Sequence, residues 1–292
     1  MQTKAIQQIL PPPPSHMVGD GFRVHNFFPH GYDMAPNRMS PFYLLDYNAK
    51  IEFPPKDTPR GVGVHPHRGF ETVTIVYHGK VAHHDSKGNH GVIGEGDIQW
   101  MTAASGILHK EYHEAGFSRK GGAFQVVQLW INLPAKDKMS TPGYQSITNK
   151  EIPKYPLPQN KGVVEVIAGT YEGIKGIART FTPIEMYNIR LKAETTINVV
   201  LPEYYNTGIL VIEGTVRVNE KETAPTDHFI LFRNKGEAIT LKAIENSILL
   251  VLSGEPIKEP IVSYGPFLMN TKDEIMKAYK DLNAGKFGQL ED

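Results

Sequence analysis

The chain of 292 residues contains no cysteine. This absence excludes a disulfide framework, an iron–sulfur cluster, a thiolate zinc site and a cysteine nucleophile. Long apolar runs are also missing: the longest, Ile248 to Leu252, is far shorter than the roughly 18 residues that a membrane-spanning helix needs. The N-terminal stretch MQTKAIQQILPPPPSHM lacks the apolar core of a signal peptide. From these absences we expect a cytoplasmic protein with no membrane partner.

The chain has no excess charge of either sign. Lysine and arginine together number 31, aspartate and glutamate together number 31, and the formal net charge is zero. Binding to nucleic acid depends on neutralising phosphates with a basic surface, and this sequence has no basic run. We therefore expect no direct contact with nucleic acid. The hydrophobic fraction of 40% is ordinary for a globular protein.

Glycine and proline are abundant, at 27 and 22 residues, which predicts many turns and hence β structure. Short β-rich runs alternate with turn signals from about residue 20 to 133, and they resume from about 161 to 265. The stretch 136–160 between them is polar and contains proline, so we predict a linker there. The run Pro11–Pro14 predicts an extended arm over residues 1–17.

The two β-rich halves resemble each other. The segment IVYHGKV at 75–81 can be laid on LVIEGTV at 210–216, a shift of 135 residues. Each segment reads as a strand, a glycine turn and a return strand. A repeat this long suggests duplicated antiparallel barrels rather than a solenoid, whose repeats are about 20 to 50 residues long. We therefore predict an all-β protein with one barrel in residues 1–135 and another in 161–292.

The C-terminal end has a different pattern. Thr271-Lys-Asp-Glu274 matches a capping box, in which a hydroxyl and a carboxylate satisfy the free amides at the start of a helix. Apolar residues then follow at helical spacing: Ile275, Met276, Tyr279 and Leu282. We predict a short amphipathic helix at about 271–284, ending near Gly285.

Histidine is unevenly placed, because 11 of the 12 histidines lie within the first 113 residues. Histidine is the commonest metal ligand, so we expect any metal chemistry in the first half. Alternate residues of a strand share a face, and His65 and His67 in GVHPHRGFE would therefore point the same way. His109 and Glu111 have the same spacing. If the two pairs face each other inside a barrel, they form a set that suits a divalent first-row metal with open positions.

The alternative for each pair is a feature without a ligand. An isolated His-x-His is often a surface accident, and a lone His-x-Glu carries almost no information. The neighbouring residues favour the metal site, because Gly63, Pro66 and Gly69 shape the backbone around the first pair and Gly106 precedes the second.

Three segments resemble the signatures of the pirin family within the cupin superfamily. They are HPHRGFETVTIVYHGKVAHHDSKGNHGVIGEGDIQWMTAASGILHKE at 65–111, GAFQVVQLWINLP at 122–134 and GPFLMNTKDEI at 265–275. The resemblance covers nearly the whole chain but is thin between about 145 and 205. It implies a bicupin, in which each of the two antiparallel barrels is a double-stranded β-helix, or jelly roll, and only the N-terminal one holds a metal.

Carried over by position, the resemblance implies four metal ligands: His65, His67, His109 and Glu111. The implied metal is Fe(II), and the same set also suits Zn, Cu, Ni, Mn or Co. Under the shift of 135 residues, His65 and His67 fall on Val200 and Pro202. We therefore expect the C-terminal barrel to lack these ligands.

The resemblance implies quercetin 2,3-dioxygenase activity, in which O2 opens the ring of a flavonol-like aromatic substrate and carbon monoxide leaves. Glu111 is the candidate catalytic residue, as the base that takes the proton of the 3-hydroxyl. The resemblance also implies an alternative: an iron-dependent, redox-sensing transcriptional co-regulator that binds a regulatory protein. Other cupins are isomerases or sugar-modifying enzymes, and a fold does not determine a function. We expect a monomer, and eukaryotic family members imply a nuclear location as the alternative to a cytoplasmic one.

Five further residues are candidates for the surroundings of the site. Glu71 is interpreted as a hydrogen-bond partner of a ligand, with a carboxylate at the barrel rim as the alternative. Phe70, Trp100 and Trp130 are candidates for an aromatic substrate pocket, with plain core as the alternative. Gln128 lies in an apolar strand and is a candidate donor to the substrate or to a bound water.

The remaining polar residues near the motifs are expected outside the site. Four histidines are expected to face solvent: His83, His84, His90 and His113. For His113 the alternative is a hydrogen bond to a ligand, because it shares a face with Glu111 if the strand continues. Arg68, next to the first pair, is expected to steer an anionic substrate or to face solvent.

Overall fold

The structure, a computed structural model, describes residues 1–291. The fold is mostly β, with two α-helices in the described chain, α1 at Ala115–Lys120 and α2 at Lys272–Asn283. Short 3₁₀ turns occur at Ala135–Asp137 and Pro158–Asn160. Neither α-helix has the length and apolar character needed to cross a membrane.

The strands in chain order are β1 Ile6–Leu10, β2 His16–Val18, β3 Phe22–Phe28, β4 Phe42–Phe53, β5 Gly61–His67, β6 Phe70–His78, β7 Val81–Asp85, β8 His90–Ile93, β9 Ile98–Thr102, β10 Ile107–His113, β11 Gly122–Asn132, β12 Gly143–Ile147, β13 Lys154–Pro156, β14 Gly162–Ala168, β15 Thr170–Tyr171, β16 Ile174–Lys175, β17 Ile184–Leu191, β18 Thr196–Val200, β19 Asn206–Glu213, β20 Val216–Val218, β21 Glu222–Ala224, β22 Phe229–Phe232, β23 Ala238–Ala243, β24 Ser247–Gly254, β25 Val262–Tyr264 and β26 Phe267–Met269.

The N-terminal unit comprises Pro13–Asn37, Phe42–Asn149 and the chain from Ile257 onward. It contains a seven-stranded sheet in the order β12-β9-β6-β11-β4-β3-β2 and a four-stranded sheet in the order β5-β10-β7-β8. All of these strand pairs are antiparallel. Buried side chains fill the unit, because strands such as β6 and β9 are buried on both faces.

The C-terminal unit comprises Met1–Pro12, Arg38–Pro41 and Lys150–Pro256. It has a seven-stranded sheet in the order β1-β22-β19-β24-β17-β14-β13 and a four-stranded sheet in the order β18-β23-β20-β21. Strand for strand, this arrangement repeats that of the N-terminal unit. The predicted all-β fold with two cupin barrels and a C-terminal helix is therefore confirmed.

The repeated glycine turns follow from backbone geometry. Gly79, between β6 and β7, has φ of +87°, and Gly214, between β19 and β20, has φ of +80°. This left-handed region is open to glycine at little cost, whereas side chains with a Cβ rarely adopt it. The glycine turn within each of the two aligned sequence segments therefore has a left-handed glycine in both units.

The division of the chain differs from the predicted domain boundaries. The start of the predicted arm belongs to the C-terminal unit, because β1 pairs with β22 there. The segment from Ile257 onward belongs instead to the N-terminal unit. The predicted linker contains β12, which pairs with β9 of the N-terminal unit, and β13, which pairs with β14. These memberships depend on pairing between strands distant in sequence, which local composition does not report.

Helix α2 begins as the capping box predicts. The Thr271 hydroxyl accepts a hydrogen bond from the Glu274 amide, and the Glu274 carboxylate accepts one from the Thr271 amide. The helix buries Ile275 and Ala278 in a cluster with Phe267. Helix α1, in contrast, was not indicated by the sequence, since its six residues are too few to show a period.

Candidate metal centre

Strands β5 and β10 of the four-stranded sheet bring the two motif pairs together. His109 lies opposite His65 in the antiparallel register, and Ile107 lies opposite His67. A register irregularity follows His109, so that Glu111 lies opposite Val62. Alternation along each strand places all four expected ligand side chains toward the interior of the N-terminal unit.

The three histidines form a tight cluster. The ring centroids are 4.2 Å apart for His65 and His109, and 4.8 Å apart for His67 and each of the other two. One ring nitrogen from each of the three lies within 4.8 Å of the others. A second group with the same spacing contains His109, Glu111 and His83. The structure thus brings together the four residues expected from the sequence, with His109 common to both groups.

Burial keeps two of these imidazoles neutral. His67 is 4% exposed and His109 is fully buried. Burial, reinforced by the neighbouring His65, holds the pKa of both rings well below the ordinary value of 6.5. A metal ligand must carry a free lone pair, so neutral rings at neutral pH are the state that metal binding requires.

Backbone carbonyls orient two of the rings. Nδ1 of His65 lies 2.8 Å from the Gly63 carbonyl oxygen, and Nδ1 of His67 lies 3.3 Å from that of Pro266. Because a carbonyl oxygen only accepts, each Nδ1 carries the proton and each Nε2 keeps its lone pair. Among the described residues, neither ring nitrogen of His109 has a hydrogen-bond partner. Buried polar groups normally have a partner, so the unpartnered nitrogens of His109 indicate a site for a bound ligand such as a metal ion.

Three side-chain donors hold the carboxylate of Glu111, which is 4% exposed. The Thr74 hydroxyl and the Gln99 amide both donate to Oε1 at 3.0 Å, and the Gln128 amide donates to Oε2 at 2.7 Å. Each carboxylate oxygen offers about two lone pairs. Oε1 is therefore saturated, and Oε2 keeps one lone pair for a further partner. The candidate donor Gln128 thus contacts Glu111 directly.

Glu71 is almost completely buried, at 1% exposure, on strand β6. Thr102 on the adjacent strand β9 donates its hydroxyl proton to Oε1 of Glu71 at 2.7 Å. Burial raises the pKa of Glu71 to about 7, although the hydrogen bond from Thr102 acts in the opposite direction. The structure places this carboxyl in a contact between strands of the large sheet rather than in a hydrogen bond to an imidazole.

The three aromatic candidates occupy different positions. Phe70 and Trp100 are fully buried, as the plain-core alternative expects. Trp130 is only partly buried, stacks on Phe70 at a centroid distance of 4.2 Å and meets the edge of His67 at 5.1 Å. Of the three, Trp130 combines contact with a cluster histidine and access to solvent.

Two histidines expected at the surface are buried, and that expectation is wrong for both. His83 is fully buried beside Glu111, because alternation along β7 places it on the same face as Val81. His113 is fully buried, and its Nε2 lies 2.8 Å from the Gly21 carbonyl oxygen. Of the other two, His84 is half-buried and His90 is exposed. Alternation along VAHHD was the signal that distinguishes His83 from His84.

The segment that follows Ile257 completes the surroundings of the first histidine pair. Besides the Pro266 carbonyl at His67, it supplies Asp281 of α2, which accepts a hydrogen bond from the Arg68 guanidinium at 3.0 Å. Both charged side chains are almost fully buried, so Arg68 neither faces solvent nor steers a substrate. A Cβ at Gly69 would lie 2.0 Å from the Leu268 carbonyl oxygen, which explains why glycine follows Arg68.

The repeated barrels and this histidine cluster define a class: a bicupin with a candidate metal centre in its N-terminal unit. The two groups of potential ligands found among residues 1–291 both lie in that unit. The Pirin family model matches residues 21–131, and the model of the Pirin C-terminal cupin domain matches residues 186–288. The chain belongs to the pirin family, and the resemblance stated from the motifs is confirmed.

Relatives cover almost the whole chain. A protein of Pseudomonas aeruginosa named "Putative quercetin 2,3-dioxygenase" is 47% identical over 272 residues, covering 93% of this chain and 94% of that protein. A pirin-like protein of Solanum lycopersicum is 39% identical over 254 residues, covering 86% of this chain and 82% of its own length. Both relatives therefore align with the two units together.

Solved structures have the same fold. The crystal structure of quercetin 2,3-dioxygenase from Acinetobacter baumannii superimposes with a TM-score of 0.93 at 44% identity, covering 99% of this chain and all of that one. A bacterial pirin from Escherichia coli in complex with nickel(II) has a TM-score of 0.64 at 22% identity, covering 86% of this chain and 99% of that one. At that identity the second comparison shows the shared fold alone.

Proposed function

We propose that this protein is a metal-dependent dioxygenase that opens the ring of a flavonol such as quercetin with O2. The observation that carries the proposal is the clustering of His65 and His67 around His109, whose buried ring nitrogens have no partner among the described residues. Relatives that bear the name of this activity at 44% and 47% identity support the reaction class.

The residues fit a divalent first-row metal. His65 and His67 would bind it through Nε2, His109 through one of its unpartnered nitrogens and Glu111 through the free lone pair of Oε2. Three neutral nitrogens and one carboxylate oxygen suit iron, nickel, manganese, cobalt, copper or zinc, and we propose Fe(II) as the native ion. When bound, such an ion would supply Lewis acidity toward the 3-hydroxyl and an electron path to O2.

The protein's own groups divide the remaining tasks. Glu111 is the proposed base, because its carboxylate adjoins the cluster and can take the proton of the 3-hydroxyl. The donors on Oε1 hold that carboxylate in place, so only the free lone pair of Oε2 can take the proton, and Glu111 would act as the base when that lone pair is not bound to the metal. The partly exposed His65 marks the side open to solvent, and Trp130 offers a flat wall beside His67 against which an aromatic ring can pack.

The test uses protein loaded with ferrous iron under anaerobic conditions and then exposed to quercetin and O2. We expect uptake of O2 together with loss of the quercetin absorption band. The variant His65→Ala/His67→Ala should bind no iron and turn over no substrate. The matched control is His84→Ala/His90→Ala, which removes two histidines that pair across β7 and β8 outside the cluster.

The outcomes separate the alternatives. Turnover in wild type and in the matched control, but not in the cluster variant, would support both the metal site and the dioxygenase activity. Iron binding without O2 uptake would refute the activity and favour the redox-sensing co-regulator. If wild type bound no metal, the ligand assignment itself would be wrong.

A further inference from the structure

His83 lies close enough to His109 and Glu111 to share a metal with them, but it differs from His109 in its hydrogen bonds. One of its ring nitrogens lies within 4.8 Å of ligand atoms of His109 and Glu111. His109 has no partner on either nitrogen, whereas both nitrogens of His83 have one. Its Nδ1 lies 3.1 Å from Nε2 of Gln99, and its Nε2 lies 3.3 Å from Oδ2 of Asp85.

The amide of Gln99 determines which nitrogen of His83 carries the proton. Its Nε2 contacts Oε1 of Glu111 at 3.0 Å as well as Nδ1 of His83. An amide nitrogen has two protons, and the carboxylate accepts one of them, so the other goes to His83. Nδ1 of His83 is therefore an acceptor, and the ring proton on Nε2 faces the carboxylate of Asp85. No lone pair remains on His83 for a metal.

The far end of this chain of contacts is anchored in a turn. The Asp85 carboxylate accepts hydrogen bonds from the amides of Lys87 and Asn89 at 2.8 and 3.0 Å, and from the side chain of Asn89 at 2.9 Å. On the other side, Tyr144 of β12 stacks on the His83 ring at a centroid distance of 5.1 Å. The Tyr144 ring and the 85–89 turn together leave His83 little freedom to move.

We propose that Asp85, His83 and Gln99 form a positioning chain that fixes the carboxylate of Glu111, and that His83 is not a metal ligand. Asp85 contacts His83, His83 contacts Gln99, and Gln99 contacts Glu111. The position of the 85–89 turn therefore sets the orientation of the Glu111 carboxylate. This inference rests on the metal centre of the proposed function, but it does not depend on the substrate or on turnover.

The experiment measures binding of Co(II) alone, by titration followed through its d–d absorption, without quercetin or O2. His83→Phe keeps the ring shape and the stacking on Tyr144 but removes the acceptor for Gln99. We expect affinity for Co(II) to fall about 10- to 100-fold, as is common for partners of metal ligands. Gln99→Ala should produce the same loss. His83→Phe/Gln99→Ala should be no weaker than either single variant, because both substitutions break one chain.

A conservative variant distinguishes positioning from ligation and from general damage. In His83→Asn the amide oxygen can take the place of Nδ1 and accept the proton from Gln99, so we expect near-native affinity and the native d–d band. His84→Phe, the neighbouring residue with the opposite orientation on β7, should leave affinity unchanged. Circular dichroism on every variant confirms that the fold is retained.

Three results would overturn the proposal. The first is an affinity for Co(II) that falls in the double variant by the product of the two single losses. The second is a d–d band in His83→Asn that differs from that of wild type, and the third is unchanged affinity for Co(II) in His83→Phe. Wild-type protein that binds no Co(II) would overturn both the positioning chain and the metal centre. If these binding results hold while quercetin is not consumed, the dioxygenase proposal alone fails.

Discussion

The buried carboxyl group of Glu71 should contribute to the pH dependence of the stability of the N-terminal unit. This group titrates near 4.5 in an exposed setting, and burial raises its pKa to about 7 in the folded chain. Between these values the folded state holds a proton that the unfolded state has lost. The contribution of Glu71 to the unfolding free energy of metal-free protein must therefore decrease as pH rises from about 4.5 to about 7, and stay at the lower level above that range. His67 and His109, whose pKa values burial lowers, contribute with the opposite sign, so the effect of Glu71 is measured as the difference between wild type and a variant.

The size of the effect follows from the two pKa values. At about 1.36 kcal/mol per pH unit, the interval from 4.5 to about 7 corresponds to about 3 kcal/mol. Glu71→Gln has nearly the same shape, can still accept the hydrogen bond from Thr102 and does not ionise. We expect the variant to match wild type at pH 5 and to be more stable by up to about 3 kcal/mol at pH 8.

Tryptophan fluorescence during urea unfolding provides the assay. Trp100 and Trp130 are the two tryptophans of the chain, and both lie in the N-terminal unit, so the signal reports the unit that contains Glu71. Glu52→Gln, which changes an exposed carboxylate on β4, is the matched control and should track wild type at both pH values. Equal stability differences at pH 5 and pH 8 for Glu71→Gln would refute the reasoning.

Three further predictions concern the C-terminal segment and use the same unfolding assay. Asp281→Ala leaves the buried Arg68 charge without its carboxylate and should lower the unfolding free energy by about 3 kcal/mol. A loss below about 1 kcal/mol would mean that water takes the place of the carboxylate beside Arg68. Phe287→Ala removes a fully buried ring that packs against Arg68 at 4.7 Å, and should cost about 3 kcal/mol, whereas native stability would show that the segment does not contribute to the unit. Thr271→Ala breaks the capping box and should cost about 1 kcal/mol, while Thr271→Ser should be close to native; equal losses in the two would argue against the hydroxyl as the cause.

The sequence was most informative where a local rule applies. The capping box at Thr271 and Glu274 predicted the start of α2, because the hydrogen bonds of a cap involve residues only three apart. The glycine turns and the repeat predicted two barrels, and strand alternation placed His65 with His67 and His109 with Glu111 on common faces. The pirin motifs identified the family for the same reason, since their residues are close together along the chain.

Pairing between distant segments could not be read from these patterns. The predicted arm supplies β1 to the C-terminal unit, the predicted linker supplies β12 to the N-terminal unit, and the last segment places the Pro266 carbonyl against His67. The backbone groups of an edge strand form hydrogen bonds with whichever strand the fold brings near, and the composition of the edge strand does not identify that partner.

By itself, the sequence determined the fold class, the family and the four residues that cluster in the N-terminal unit. Only the tertiary structure decided that His83 is buried, that Gln99 joins it to Glu111 and that His109 has no hydrogen-bond partner in the described chain. The physical reason is that strand alternation assigns a side chain to a face, whereas its burial and its hydrogen bonds depend on the strands that cover that face.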